Sequence, residues 1–395
     1  MENWVQTWGQ AHSALSFFYY PSCKKTYRLV IKTAVSGTAL KIRLSNRFGK
    51  NKIVIGAGTA ALSDENGTYL SSNYCSVTVN GNKMFSLNAG EEVVSDALPF
   101  SAKAGNFICI SLYVERGALR SGNLINNAEL ITAKGNLAES TNMKNKPRIR
   151  DYVRKAASKI LGMFLHKPIP LFESVELLNE ENAKAITVFG DSISQQGFWT
   201  NAFENRIRAE FPARYSVINK SIMGNRILKD YSSRFICKGL FGKSGLNRLE
   251  ADILKYSGIE YVIFALGTND FLQYGTIAAA KSEKPSAEAA CAAVRKITEK
   301  LHSKNIKVIM LTVLPFGESI DANKEKLALL VQFNSWLREY KDMFDGFYDQ
   351  AELCQNPEKP NCTRLAFLGP DKLHPNEAGG KYIAEHMDFT IFRSR

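Results

Sequence analysis

The sequence lacks any apolar run long enough to span a bilayer. The longest, such as Tyr261 to Leu266 and Val308 to Leu314, stop far short of the ~18 residues a spanning helix needs. It opens Met-Glu-Asn-Trp, without the basic stretch or apolar core of a secretory signal, so a soluble cytoplasmic protein is expected. Cysteine is sparse and scattered. The seven residues Cys23, Cys75, Cys109, Cys237, Cys291, Cys354 and Cys362 never form a Cys-x-x-Cys pair. That speaks against a zinc cluster or a disulfide framework and for reduced thiols. Only Cys354 and Cys362 could close a small loop under oxidising conditions. Internal repeats and low-complexity tracts are also missing.

What is present describes a folded chain. With 45% hydrophobic and 23% charged residues, wholesale disorder is excluded. A length of 395 residues suits two domains of roughly 150–250 residues each. The net charge of +13 would suggest nucleic acid if it were spread over a reading surface. It is concentrated instead. Between Lys144 and Lys167 eight cations (Lys144, Lys146, Arg148, Arg150, Arg154, Lys155, Lys159, Lys167) face only Asp151, a net +7. No nucleic-acid-binding signature accompanies them, so no nucleic-acid partner is expected.

Three segments follow from the patterning. Residues 1–133 carry short strands with Asn/Gly punctuation: Arg28 to Val35, Leu40 to Leu44, Ile53 to Gly58, Tyr74 to Val79 and Phe107 to Val114. They predict an all-β sandwich of jelly-roll type. Residues 134–182 hold a linker and an amphipathic helix over 148–165, where Ile149, Tyr152, Val153, Ala156, Ile160, Met163 and Phe164 recur at spacings of three and four. Its plain reading is a solvated cationic helix; a movable lid or a membrane-touching surface are the sharper ones. From 183 to 395 continuous apolar strands alternate with helices, which predicts an α/β domain with a parallel sheet covered on both faces. In such sheets the working groups gather at the carboxyl ends of the strands.

Four short motifs sit at those ends. Phe189-Gly-Asp-Ser-Ile193 follows the first strand, placing Ser192 at a strand-to-helix junction whose N–H groups favour an anion. Ile222-Met-Gly-Asn225 follows the second, where Gly224 can bring its N–H close to a ligand. Gly267-Thr-Asn-Asp270 follows the third and offers the Asn269 amide as an oxyanion donor. Asp371-Lys-Leu-His374-Pro375 precedes the last helix. One-turn spacing lets Asp371 accept from the His374 ring while the other nitrogen faces a serine. His166, His302 and His386 lie on expected helices without such a setting.

Taken together, these blocks resemble the SGNH, or GDSL-type, hydrolases over the C-terminal 210 or so residues, with Ile193 where the motif usually has leucine. The region from Tyr27 to Val114, with Leu44-Ser-Asn-Arg-Phe-Gly49 and Val94-Ser-Asp96, is similar to the β-domain that precedes the catalytic domain in a bacterial subset of the family. The resemblance implies a flavodoxin-like three-layer fold. It also implies a Ser192–His374–Asp371 triad, an oxyanion hole from the N–H groups of Ser192 and Gly224 with the Asn269 side chain, an acyl-enzyme, and no metal or organic cofactor.

The expected activity is hydrolysis of short acyl esters, acetyl above all, on a small-molecule or oligosaccharide substrate. The alternatives are a lysophospholipase or thioesterase, with membrane contact through the 148–165 helix, and a non-catalytic carbohydrate-binding protein. Trp4, Trp8, Phe17, Phe18, Tyr19 and Tyr20 are the aromatic faces through which the β-domain would stack on sugars, or else its core packing.

Overall fold

The structure is a computed structural model that describes residues 2–15, 20–21, 23–124, 127–143, 168–232 and 239–393. The described residues divide into two compact units. One comprises the residues up to 143 with 168–185 and 207–218; the other comprises 186–206 and 219–393. The helix expected over 148–165, and Phe17 to Tyr19, lie outside the described residues.

The first unit is built of antiparallel sheets. Its main strands are β1 (Trp4–Gly9), β2 (Lys25–Lys32), β3 (Gly37–Ser45), β4 (Ile53–Ser63), β5 (Leu98–Ala102), β6 (Phe107–Arg116), β7 (Glu129–Lys134) and β8 (Phe172–Leu178). One sheet runs β7-β2-β6-β4 and another β1-β8-β3-β5. In the first, β6 is central: Ile108 lies opposite Ile31 on one side and Leu62 on the other. A strand with a neighbour on each side has all its backbone groups paired, so its run from Ile108 to Leu112 can be buried throughout.

Strand β8 differs from the sequence reading, which assigns 134–182 to a helix and linker. It lies between β1 and β3, with Val175 opposite Trp8 and Ile42. Its polar residues hid it. Glu173 and Glu176 suggest an exposed segment, yet both are buried: Glu173 meets Arg47 at 2.9 Å, and Ser174 donates to Glu176 at 2.9 Å. The aromatic faces also resolve in part. Trp4 and Trp8 are 8% and 3% exposed, so they belong to the core and not to a sugar-facing surface.

The second α/β region has the sheet order β10-β9-β11-β12-β13. These strands are β9 (Lys184–Gly190), β10 (Tyr215–Asn219), β11 (Ile259–Ala265), β12 (Lys307–Leu311) and β13 (Gly346–Tyr348). β11, β12 and β13 run parallel in register, with Val262 opposite Val308 and Ile309 opposite Gly346. Helices α1 (Ser192–Gln195), α2 (Phe198–Glu210), α3 (Gly245–Leu249), α4 (Thr268–Leu272), α5 (Ala287–His302), α6 (Lys324–Glu339) and α7 (Glu377–Glu385) complete it.

Local sequence starts the longer helices where side chains cap them. Ser286, Asn323 and Asn376 each accept from the N–H three residues on, at 3.1, 2.9 and 2.9 Å. α5 then turns Ala290, Cys291, Val294, Ile297 and Leu301 inward at spacings of three and four. Trp199 and Phe203 of α2 join Phe389, Phe392 and Tyr261 in edge-on aromatic contacts at 5.1–6.2 Å. Cys354 and Cys362 are free thiols. Among the described residues no helix is long and apolar enough to cross a membrane.

α7 follows directly on His374, so its seating matters to the site. At Gly380 a Cβ would stand 2.4 Å from the Phe198 Cβ and 2.8 Å from the Trp199 nitrogen. Gly→Ala inside a helix ordinarily gains about 1 kcal/mol. Here the sign reverses: overpacking of about 1–3 kcal/mol outweighs that gain. Gly380→Ala should therefore lower the urea midpoint of unfolding. A midpoint at or above that of the parent would show that α7 can move away from α2 without loss.

Candidate active site

The Ser192 segment is set by space and by a cap. Gly190 ends β9, and a Cβ there would lie 2.6 Å from Ser194 Oγ. Close approach, not an unusual backbone angle, demands glycine. Asp191 caps α1, its Oδ1 accepting from the Ile193 N–H at 3.0 Å, which leaves Ser192 on the first turn and half-buried.

His374 comes from the far end of the chain. Asp371 Oδ1 accepts from the N–H groups of Leu373 and His374, both at 3.1 Å, and its Oδ2 lies 2.6 Å from His374 Nδ1. Burial raises the Asp371 carboxyl, but the His374 ring, its charge and the two amides outweigh it, and the group sits below the ordinary carboxylate range. An ionised carboxylate only accepts, so Nδ1 carries the ring proton. Nε2 is then the acceptor for Ser192 Oγ, 2.7 Å away. The side chains of His374 and Asp371 are each 28% exposed, so a ligand can reach them. Gln196 donates to the Pro375 carbonyl at 2.9 Å and ties the histidine loop to the turn that carries Ser192.

Gly224 adopts φ +68, where glycine is favoured, and a Cβ would strike the Phe241 ring at 2.4 Å. Tyr231 donates to its carbonyl and packs on Phe241 with ring centroids 4.6 Å apart. The Ile222 N–H donates to the Gly190 carbonyl at 3.1 Å, binding this loop to the Ser192 segment. Asn269, on α4, is 3% exposed. Its Nδ2 donates to the Asn225 carbonyl at 3.1 Å and to Asp191 Oδ2 at 3.2 Å, while Oδ1 accepts from Gln273 at 3.4 Å. The structure thus joins Ser192, His374 and Asp371 by direct hydrogen bonds. Asn269 is bonded to the neighbours of Ser192 and Gly224, with both amide hydrogens already accepted.

Two acidic residues had no role in the sequence reading. Asp270 accepts from the Ile227 and Leu228 N–H groups at 2.7 and 3.0 Å, holding the stretch that follows Gly224. Asp191 serves Ile193 and Asn269 together. Burial pushes both carboxyls up to about 6, against the backbone hydrogen bonds that lower them. Both lie inside quoted motifs, so the signal was there. Gln196, Tyr231 and Phe241 carry no local signature; only the fold brings them in.

Residues 188–382 match the model of the GDSL-like lipase/acylhydrolase family. No curated protein matches the chain by sequence. Solved structures that resemble part of it include an acetyl xylan esterase, AlAXEase, at 22% identity, covering 51% of this chain and 96% of that one with a TM-score of 0.39. A GDSL-like lipase from Bacteroides thetaiotaomicron gives 16%, 63%, 100% and 0.40 in the same terms. The psychrotrophic esterase EstA from a Pseudoalteromonas species gives 18%, 53%, 97% and 0.36. Residues 188–382, which hold every residue of the site just described, form a domain of the GDSL-like lipase/acylhydrolase family.

Proposed function

We propose that the protein is a serine ester hydrolase working through an acyl-enzyme, and that it acts on short acyl groups, acetyl above all, carried by carbohydrate. One observation carries the chemistry: the unbroken line from Ser192 Oγ through the His374 ring to Asp371, at 2.7 and 2.6 Å. His374 Nε2 takes the Ser192 proton as Oγ attacks the ester carbonyl, and Asp371 stabilises the imidazolium. The oxyanion falls to the N–H groups of Ser192 and Gly224 and to Asn269 Nδ2, which shares one hydrogen with its resting acceptor. His374 returns the proton to the departing alkoxide. It then deprotonates the water that attacks the acyl-enzyme and passes that proton to Ser192 Oγ as the acid leaves.

The Phe241 ring, packed against Gly224 and Tyr231, is an aromatic wall beside an oxyanion donor. Such a wall suits a small acyl group and a sugar whose C–H face stacks on rings. A lipid-type ester is favoured by a different observation. Ile277, Ile320 and Leu365 are 77%, 96% and 52% exposed. Ile277 lies on the loop after α4, Ile320 on the loop leaving β12, and Leu365 precedes Asp371.

Ser192→Ala and His374→Ala should each cut turnover of p-nitrophenyl acetate by at least about 10³-fold with an unchanged circular dichroism spectrum. A folded Ser192→Ala protein with more than a few per cent of activity would sink the assignment. Across p-nitrophenyl esters from acetate to octanoate, kcat/KM should fall steeply. Each methylene is worth only about 1 kcal/mol of contact, so rejection must come from a wall. A rise toward octanoate would favour the lipid-type ester.

Asp191 supplies a pH signature. Its folded value lies above the ordinary 3.8, so the ionised form opposes folding at pH 7, and that burden disappears as pH falls through about 6 toward 4. In the same window Asn269 loses its anionic acceptor. The acid limb of kcat/KM should accordingly be steeper than one proton in the parent. Asp191→Asn, which sets an NH₂ against the Asn269 NH₂, should lower kcat by about 10–100-fold and restore a single-proton slope. A kcat within twofold of the parent would show that Asp191 is merely a cap.

A further inference from the structure

Helix α3 places Arg248 inside the protein, 2% exposed, with its guanidinium 3.9 Å from the centre of the Phe189 ring. Its Nε donates to Asn225 Oδ1 at 2.8 Å. Nη1 donates to the Lys220 carbonyl at 2.7 Å and to Asp252 Oδ2 at 3.0 Å, and Nη2 donates to the Gly190 carbonyl at 3.1 Å. Asp252, one helical turn on and 1% exposed, neutralises the charge. The other three acceptors belong to the catalytic frame. Gly190 is two residues before Ser192. Lys220 and Asn225 bracket the loop of Gly224, and the Asn225 carbonyl receives the Asn269 amide.

We infer that Arg248 is the positioning residue of the oxyanion hole, one planar fork setting the spacing between the Ser192 turn and the Gly224 loop. This rests on the reading of Ser192 as nucleophile. The guanidinium touches no substrate and acts through its acceptors. Asn225 passes the constraint on in two directions. Its Nδ2 donates to the Phe241 and Lys243 carbonyls at 2.8 and 2.7 Å, seating the ring that lies against Gly224, while its own carbonyl fixes Asn269. A lysine cannot replace the fork, because a single ammonium offers no rigid, divergent set of donors. Displacement of such donors by about 1 Å is enough to cost about 100-fold in rate.

The test compares Arg248→Lys, Arg248→Met and Asn225→Ala with the parent on p-nitrophenyl acetate. It adds inhibition by a short-chain alkyl trifluoromethyl ketone, whose serine adduct carries an oxyanion. The expected result is a fall in kcat of about 10–100-fold with KM within about twofold, and an inhibition constant that rises in step with the loss of kcat/KM. Arg248→Lys should recover part of the loss. Arg248→Met with Asn225→Ala should cost no more than the worse single change, since both act on one frame. Should the Arg248 variants not fold, Asn225→Ala alone must show the kcat loss and the weakened ketone. The inference is overturned if folded variants keep kcat within twofold, if only KM changes, if ketone inhibition is untouched, or if the two losses multiply. Ser192→Ala separates the two layers. Activity surviving there ends the hydrolase reading itself, whereas a dead Ser192→Ala beside fully active Arg248 and Asn225 variants ends only the role of Arg248.

Discussion

The hydrogen bond between Ser192 Oγ and His374 Nε2 joins residues 182 positions apart, and the second unit is arranged to hold that 2.7 Å. Neither partner can set the distance locally. The serine is placed by β9, the Gly190 contact and the Asp191 cap. The histidine is placed by the two amides that fix Asp371 and by a turn in which Gly369 donates to its carbonyl at 2.8 Å. Gln196 and α7 then fasten one segment to the other. A displacement too small to disturb any helix would still break the line of hydrogen bonds from Ser192 to Asp371.

Holding that distance needs polar groups where an apolar core would be easier to build. Asp191, Asp270, Arg248 and Asp252 are each at most 3% exposed. Buried charge opposes folding unless it is paired and fully hydrogen-bonded. Here Asp252 pairs with Arg248, and Asp191, Asp270 and Arg248 each have two or more partners, most of them main-chain N–H or C=O groups of the loops around Ser192 and Gly224. Bonds to the backbone fix peptide planes, and two of the three proposed oxyanion donors are peptide N–H groups. The same bonds that make the ions tolerable therefore aim the donors.

The aromatic residues split by the same logic. Trp199, Phe203, Phe389 and Phe392 fill the space beneath the site with edge-on contacts that resist shear. Phe241 and Tyr231 instead sit beside Gly224, where the missing side chain makes room for a ring. Trp4 and Trp8, attractive as sugar platforms by composition, are consumed by the first unit's own core.

The local geometry of the motifs was legible in the sequence because it spans few residues. A glycine before Asp-Ser, an aspartate one turn before a histidine, and an amide at a strand end each state a requirement of two to four residues. The parallel order of the α/β strands was legible too, since apolar runs alternating with capped helices admit few other arrangements. Strand β8 was not, because burial of Glu173, Ser174 and Glu176 depends on Arg47 and on strands more than a hundred residues away. The parts played by Arg248, Gln196, Asp270 and Phe241 were likewise decided only in three dimensions. Their value lies in which carbonyl or ring they meet, and a one-dimensional pattern records a residue's type and spacing but not its distant partner.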